Sequence, residues 1–321
     1  MLAAILALTG ALVYGAADFL GGLAAKRLRS ILVTAVSATS GLVLLCVVMP
    51  FTGGVWHPID VAWGVLAGVF GVIALALLYA CLAVGPMSIL SPLTAVVSAI
   101  APMLWGLLVG GETLSAIGYA GLGVALVAVV LVGFIPGAGS VRPTVRGLLM
   151  AIGAGAAIGA FLIVIDQTSV DSGLVPLVVS RATNAAITFG IVGVIALVAV
   201  RRGRRAASVI DNDGVVIGAS VSGRADLAHA EAVGGAEDRA AMSRSRAWAF
   251  AIACGVVDAV ANTVLLLALR AGDLTIVSAL TAMYPAGTIL LAAVVLRERI
   301  AAVQWVGLAL ALAAGGMLAV A

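Results

Sequence analysis

The chain has 321 residues, of which 64% are apolar and 10% charged, with 17 basic and 14 acidic side chains and a net charge of +3. A soluble domain of this length cannot hide so much apolar surface, because a single core stops growing near ~250–300 residues. This excludes a cytosolic enzyme, a nucleic-acid binder and a secreted module, and the small net charge calls for no polyanionic partner.

A membrane-spanning helix needs ~20 mostly apolar residues. Ten stretches qualify: Leu2–Leu23, Ile31–Phe51, Val61–Val84, Met87–Val109, Ile117–Ile135, Gly147–Ile165, Leu174–Val200, Trp248–Leu269, Leu274–Leu296 and Val303–Val320. Barrel strands would be ~10-residue alternating segments, whereas these runs are apolar all round and about twice as long. The predicted fold is an all-α membrane protein with ten transmembrane helices.

Span 1 opens at Met1 with no basic stretch before it and reads as a span, not a signal peptide. It carries Tyr14 and Asp18, with Lys26 two turns further on. A charge inside a span is expensive and therefore a functional candidate. Asp18 suits either a cavity role or a structural pairing. Cys46, Cys81 and Cys254 sit in apolar runs with neither metal spacing nor a disulfide framework, so no metal or cofactor is expected.

Pro92 and Pro102 lie inside span 4, and Pro285 inside span 9. Internal proline frees a backbone carbonyl and kinks a helix, which membrane helices tolerate beside a cavity or a neighbour. Both spans are expected to be interrupted there. Thr94 and Ser98 in span 4, with Thr281 and Tyr284 in span 9, are either cavity hydroxyls or interhelical contacts worth ~0.6 kcal/mol each. Glu112 and Glu298 follow the apolar runs and suit helix capping or an end-on ion pair.

Span 6 leads to Asp166, and Arg181 and Asn184 share a face of span 7. Arg181 lies roughly 10 Å inside its membrane face by helical rise. It can snorkel, pair with Asp166 at that face, or reach about 5 Å deeper to Asp258. Arg201–Arg246 holds 14 of the 31 charges and no apolar periodicity, so it reads as a disordered linker or a lipid-binding loop. Asp258 stands near the middle of span 8 with Asn262 one turn later. A carboxylate at that depth can bind a cationic group, carry a coupling proton, or be a hydrogen-bonded structural acid.

The loops 24–30, 136–146, 201–247 and 297–302 collect 15 basic residues, and the opposite side holds only Arg270. By the positive-inside rule the first set is cytoplasmic, which leaves both termini outside. The sequence also repeats itself. LAVGPMSILSPLT from Leu82 aligns with LRAGDLTIVSALT from Leu269, and GETLSAIGYAGLGVAL from Gly111 with RERIAAVQWVGLALAL from Arg297, so that Glu112 falls on Glu298. The reading is a five-span repeat over residues 1–135, a linker at 136–146, and a second repeat over 147–321 interrupted by the loop 201–246. An odd number of spans forces the second copy to insert upside down, and inverted repeats serve alternating access.

The paired blocks, and above all AGDLTIVSALTAMYPAGTILLAAVVLRERI at Ala271–Ile300, resemble the EamA-type branch of the drug/metabolite transporter superfamily. That resemblance covers nearly the whole chain outside the Arg201–Arg246 loop. It implies a ten-helix basket, a central cavity lined by spans 1, 3, 4, 6, 8 and 9, and secondary transport, often efflux of small organic metabolites. It also implies cytoplasmic termini, the reverse of the charge count.

The expected function is a plasma-membrane secondary transporter that exports small metabolites or drugs, with the lipid bilayer around it and protons as a candidate coupling ion. A monomer or homodimer is expected. The substrate or proton site is expected among Asp258, Asn262, Asp18, Tyr14, Arg181, Asn184, Thr94, Ser98, Thr281 and Tyr284. Glu112, Glu298, Pro92, Pro102, Pro285 and Asp166 are structural or gating positions. Alternatives are an importer or facilitator of amino acids, a lipid-intermediate flippase, or a non-transporting membrane partner. A closed, dry core with Asp258 against Arg181 would favour the last two. Enzymatic motifs such as HExxH, GxSxG and Walker A are absent, and His57 and His229 both fall in loops.

Overall fold

Long runs of Ala, Leu, Val and Ile leave the backbone no partner in a bilayer except itself, and helices result. The computed structural model describes residues 1–25, 27–84, 87–133, 144–201, 243–295 and 301–321. Its helices are α1 (Leu2–Ala25), α2 (Ser30–Thr52), α3 (Pro58–Val84), α4 (Met87–Leu108), α5 (Ala116–Val132), α6 (Val145–Asp166), α7 (Val175–Arg201), α8 (Arg244–Ala271), α9 (Leu274–Thr281), α10 (Tyr284–Val295) and α11 (Ala302–Ala319). No strand occurs among the described residues. Eight helical stretches are long and apolar enough to cross a membrane, α9 and α10 counting as one, while Leu93–Leu108 and α5 are apolar but shorter. Glu298 and nearly all of the 201–246 loop lie outside the described residues, as does the side chain of Pro92.

Local chemistry sets several helix starts. The hydroxyls of Ser115, Thr144 and Ser243 accept from the N–H groups of Gly118, Gly147 and Arg246, which fixes the first turns of α5, α6 and α8. Span 9 divides into α9 and α10 at Ala282–Met283, just before Pro285. Proline suits a first turn, where its missing N–H has no partner to lose. Span 4 corrects the expectation of a break, since α4 runs continuously through Pro102. Its Pro102 ring packs against α6, where a Cβ at Gly159 would come within 2.8 Å of the proline Cδ.

The helices pack pairwise. α1 lies on α8, α9 and α10, and α6 lies on α3 and α4. α2 crosses α7 and α8, α3 crosses α7, α4 meets α9, and α5 meets α11. Small residues permit the closest approaches, as membrane interfaces require. Gly64 and Gly68 of α3 lie under the carbonyls of Pro176 and Ser180, where added Cβ atoms would stand at 2.8 and 2.7 Å. Gly155 of α6 approaches Thr94 of α4 in the same way, at 2.6 Å.

The connections 53–57, 109–115, 167–174 and 272–273 gather at one end, which polar contacts tie together. Asp60, buried in the first turn of α3, accepts from the N–H and hydroxyl of Ser169. Arg270, near the end of α8, donates to the carbonyls of Ser169 and Gly173 at 3.2 and 2.8 Å. Val55 N–H donates to the Asp171 carbonyl at 2.9 Å. His57 Nε2 meets Asp171 Oδ2 at 2.8 Å on the surface.

The His57–Asp171 bond favours the charged form of each partner. It raises His57 above 6.5 and holds Asp171 below 3.8. His57's contribution is therefore complete below 6.5 and lost as pH rises through its raised value. Asp171's is present above 3.8 and lost as pH falls through its lowered value, so the contact is strongest between the two. Ring NMR of the solubilised protein should place His57 above 6.5, and Asp171→Asn should return it towards that value. His229, the other histidine, serves as the internal control, and no change in His57 would reject the contact.

Candidate substrate cavity

Between the helices lies a central cavity of about 110 Å³. That volume admits several waters or a small organic group. Its walls come from α1 (Tyr14), α3 (Ala67, Gly71, Ala74), α4 (Ser98), α6 (Phe161), α8 (Asp258, Asn262) and the α9–α10 junction (Ser278, Thr281, Ala282, Tyr284). Thr34 and Ser37 of α2 and Ser180, Arg181 and Asn184 of α7 also line it. Spans 2 and 7 are additions to the wall that the family resemblance implies.

At its centre Arg181 forms a salt bridge with Asp258, both side chains being about one-sixth exposed or less. Of the options open to Arg181 from the sequence, the structure shows Asp258 and corrects the nearer one, Asp166. The side chain extends inward across the α7–α8 gap, while Asp166 stays at the end of α6, where it takes a weak bond from Gln167. Asn262 donates to the Asp258 carbonyl at 2.7 Å and so reinforces its own helix. Asn184 Oδ1 and Thr281 Oγ1 are buried and make no hydrogen bond among the described residues. An unpaired buried polar atom costs ~1–3 kcal/mol, so both point to a role for what enters the cavity.

Other expected site residues fall elsewhere. Thr94 turns away from the cavity, its hydroxyl donating to the carbonyls of Leu90 and Ala151 at 3.0 and 3.2 Å. Asp18 is buried below Tyr14 and does not reach the cavity wall. Ser98 lines the wall but donates to Ala95 O at 2.8 Å. Thr34, Ser37 and Ser180 were not singled out from the sequence. Their signal is faint, because single hydroxyls recur in most spans and most of them serve helix packing.

Glu112 holds the other end of the α9 segment. Its carboxylate accepts from the N–H groups of Leu274 and Thr275 at 2.8 and 2.9 Å. A negative charge on a helix N-terminus is stabilising, and these two donors have no partner within α9. The same charge, after burial, helps raise Asp273 above 3.8. Glu112→Gln should therefore lower stability by roughly 1 kcal/mol and bring Asp273 towards 3.8. Thermal unfolding in detergent measures the first effect and carboxyl NMR the second; unchanged values would remove Glu112 from this role.

The family described as the EamA-like transporter family matches residues 235–319. The similarity is confined to this segment, under half of the chain. That family lies within the drug/metabolite transporter superfamily of membrane transporters. A solved structure described only as the crystal structure of a protein superimposes with a TM-score of 0.68 at 17% identity. The alignment covers 99% of this chain and 96% of that one, and at such identity it speaks for the fold alone. No curated protein matches.

Proposed function

We propose that the chain is a secondary transporter of the plasma membrane, exporting small organic solutes by alternating access around the central cavity. The observation that carries this reading is the Asp258–Arg181 pair, two intramembrane charges on the wall of a mainly apolar cavity. Charges at that depth are retained where they meet a substrate, an ion or each other, and these two can do all three. The pair also bears on the non-transporting alternative. Asp258 does lie against Arg181, but beside a cavity and not in a closed core.

The packing supports two inverted five-span halves. With α9 and α10 taken as span 9 and α11 as span 10, adding five to the first member and subtracting five from the second relates the larger contacts between the halves in pairs or returns them to themselves. Contact of α1 with α8 corresponds to that of α6 with α3, and α1 with span 9 to α6 with α4. The crossing of α2 with α8 corresponds to that of α7 with α3. Pseudo-symmetric halves can exchange one packing for its mirror and open the site to the other face. Outward direction rests on resemblance to the family. The cytoplasmic side is the one bearing the basic loops, and a coupling proton would reside on Asp258.

The test is solute flux in proteoliposomes across a chemically broad panel, with and without a pH gradient. Saturable flux that the gradient drives supports the reading. Absence of flux for every solute class in a folded, correctly inserted protein would remove it.

A further inference from the structure

Span 9 divides at mid-depth, and the division faces the cavity through Thr281, Ala282 and Tyr284. The end of α9 is closed on itself, Ala282 N–H donating to Ser278 O at 3.0 Å and Met283 N–H to Leu280 O at 3.2 Å. The start of α10 carries the positive end of a twelve-residue helix, and with Ala286 N–H donating to the Met283 carbonyl at 2.9 Å it acts through its dipole. It is held rigidly, because at Gly15 of α1 an added Cβ would lie 2.6 Å from the backbone nitrogen of Thr288.

A helix start alone does not make a site, and the second observation is Thr281. This residue is only 7% exposed, yet its hydroxyl has no partner among the described residues. Other helical threonines behave differently. Thr94, Thr188 and Thr263 each donate to the carbonyl one turn earlier, that of Leu90, Asn184 and Ala259. Thr281, the last residue of α9, is turned from that arrangement and lines the cavity instead. The neighbouring Asp258–Arg181 pair carries no net formal charge.

We propose that the break at Thr281–Tyr284 is a carboxylate subsite and that the transported solutes are small organic carboxylates. The Thr281 hydroxyl donates to one carboxylate oxygen, and the first turn of α10 faces the negative charge. One hydroxyl and a helix start whose second residue is Pro285, which lacks an N–H, supply too few donors for a phosphate dianion. This inference rests on the transport reading, but its binding step can be tested apart from flux.

The experiment uses the full chain and a panel of small aliphatic and aromatic carboxylates, each beside its primary amide. Binding is read as ligand-induced thermal stabilisation in detergent, and transport as flux in proteoliposomes. Carboxylates should bind at least about tenfold more tightly than their amides, as expected for a hydrogen bond to a charged group. Thr281→Val should weaken the carboxylates by about tenfold and the amides by clearly less, and Thr281→Ser should restore the preference. Equal binding of acids and amides, equal weakening of both in Thr281→Val, or no binding by any carboxylate would each overturn the subsite. Selective binding without flux would support the subsite and remove the transport reading. Flux indifferent to the carboxylate would do the reverse.

Discussion

Asp258→Asn should reduce solute flux by about two orders of magnitude and lower stability by roughly 3 kcal/mol, near the low end for removal of one partner from a buried ion pair. The loss has two parts. Arg181, left without its counterion at the centre of the bundle, must be solvated by a low-dielectric surrounding where charge interactions are strong. The cavity also gains a net positive charge and a carboxamide that neither holds a proton nor balances a cation. A double variant separates the parts. Arg181→Gln with Asp258→Asn removes both charges and should recover stability to within about 1 kcal/mol of the parent, because it leaves no orphaned ion. Flux should remain lost. If the double variant transports at the parental rate, the pair serves packing alone and the substrate site lies elsewhere.

Arg181 also marks the boundary of what sequence reasoning reaches. Apolar run length placed helices over the ten stretches, because in a membrane the backbone has so few alternatives. It could not say how the runs would break. Proline is tolerated wherever a neighbour or a cavity receives the freed carbonyl, and that depends on packing. Hence α4 continues through Pro102, while span 9 divides two residues ahead of Pro285. The site was legible where charge was scarce, as with Asp258 and Arg181, and obscure where it relied on common residues. Helical rise ranked Asp166 as the nearer partner for Arg181, yet rise gives depth and not the direction of a side chain. The tie between Asp60, Ser169 and Arg270 joins residues more than 100 positions apart, and no local pattern announces it.

Gly255→Ala should destabilise the protein by at least about 3 kcal/mol, the upper range for overpacking, and Gly255→Val should prevent folding. Gly255 of α8 lies directly against α2, where an added Cβ would overlap the Ser37 carbonyl oxygen and the Ser40 hydroxyl and stand 2.6 Å from the Ser37 carbonyl carbon. Two of these atoms belong to the backbone, so a rotamer change cannot relieve the overlap; the helices must separate. Separation would break the crossing hydrogen bonds from Ser37 Oγ to Ala251 O, at 2.9 Å, and from Ser40 Oγ to Ile252 O, at 3.0 Å. It would also move Cys254 and Asp258, which line the cavity on the same helix. Flux should fall with stability, even though Gly255 touches no solute. Gly316→Ala in α11 is the control, since a Cβ there meets nothing within 4 Å, and it should leave both properties unchanged. The thermal midpoint and the monodisperse fraction in detergent read the outcome, and a Gly255→Ala protein as stable as the Gly316→Ala control would show that α2 and α8 do not cross at this distance.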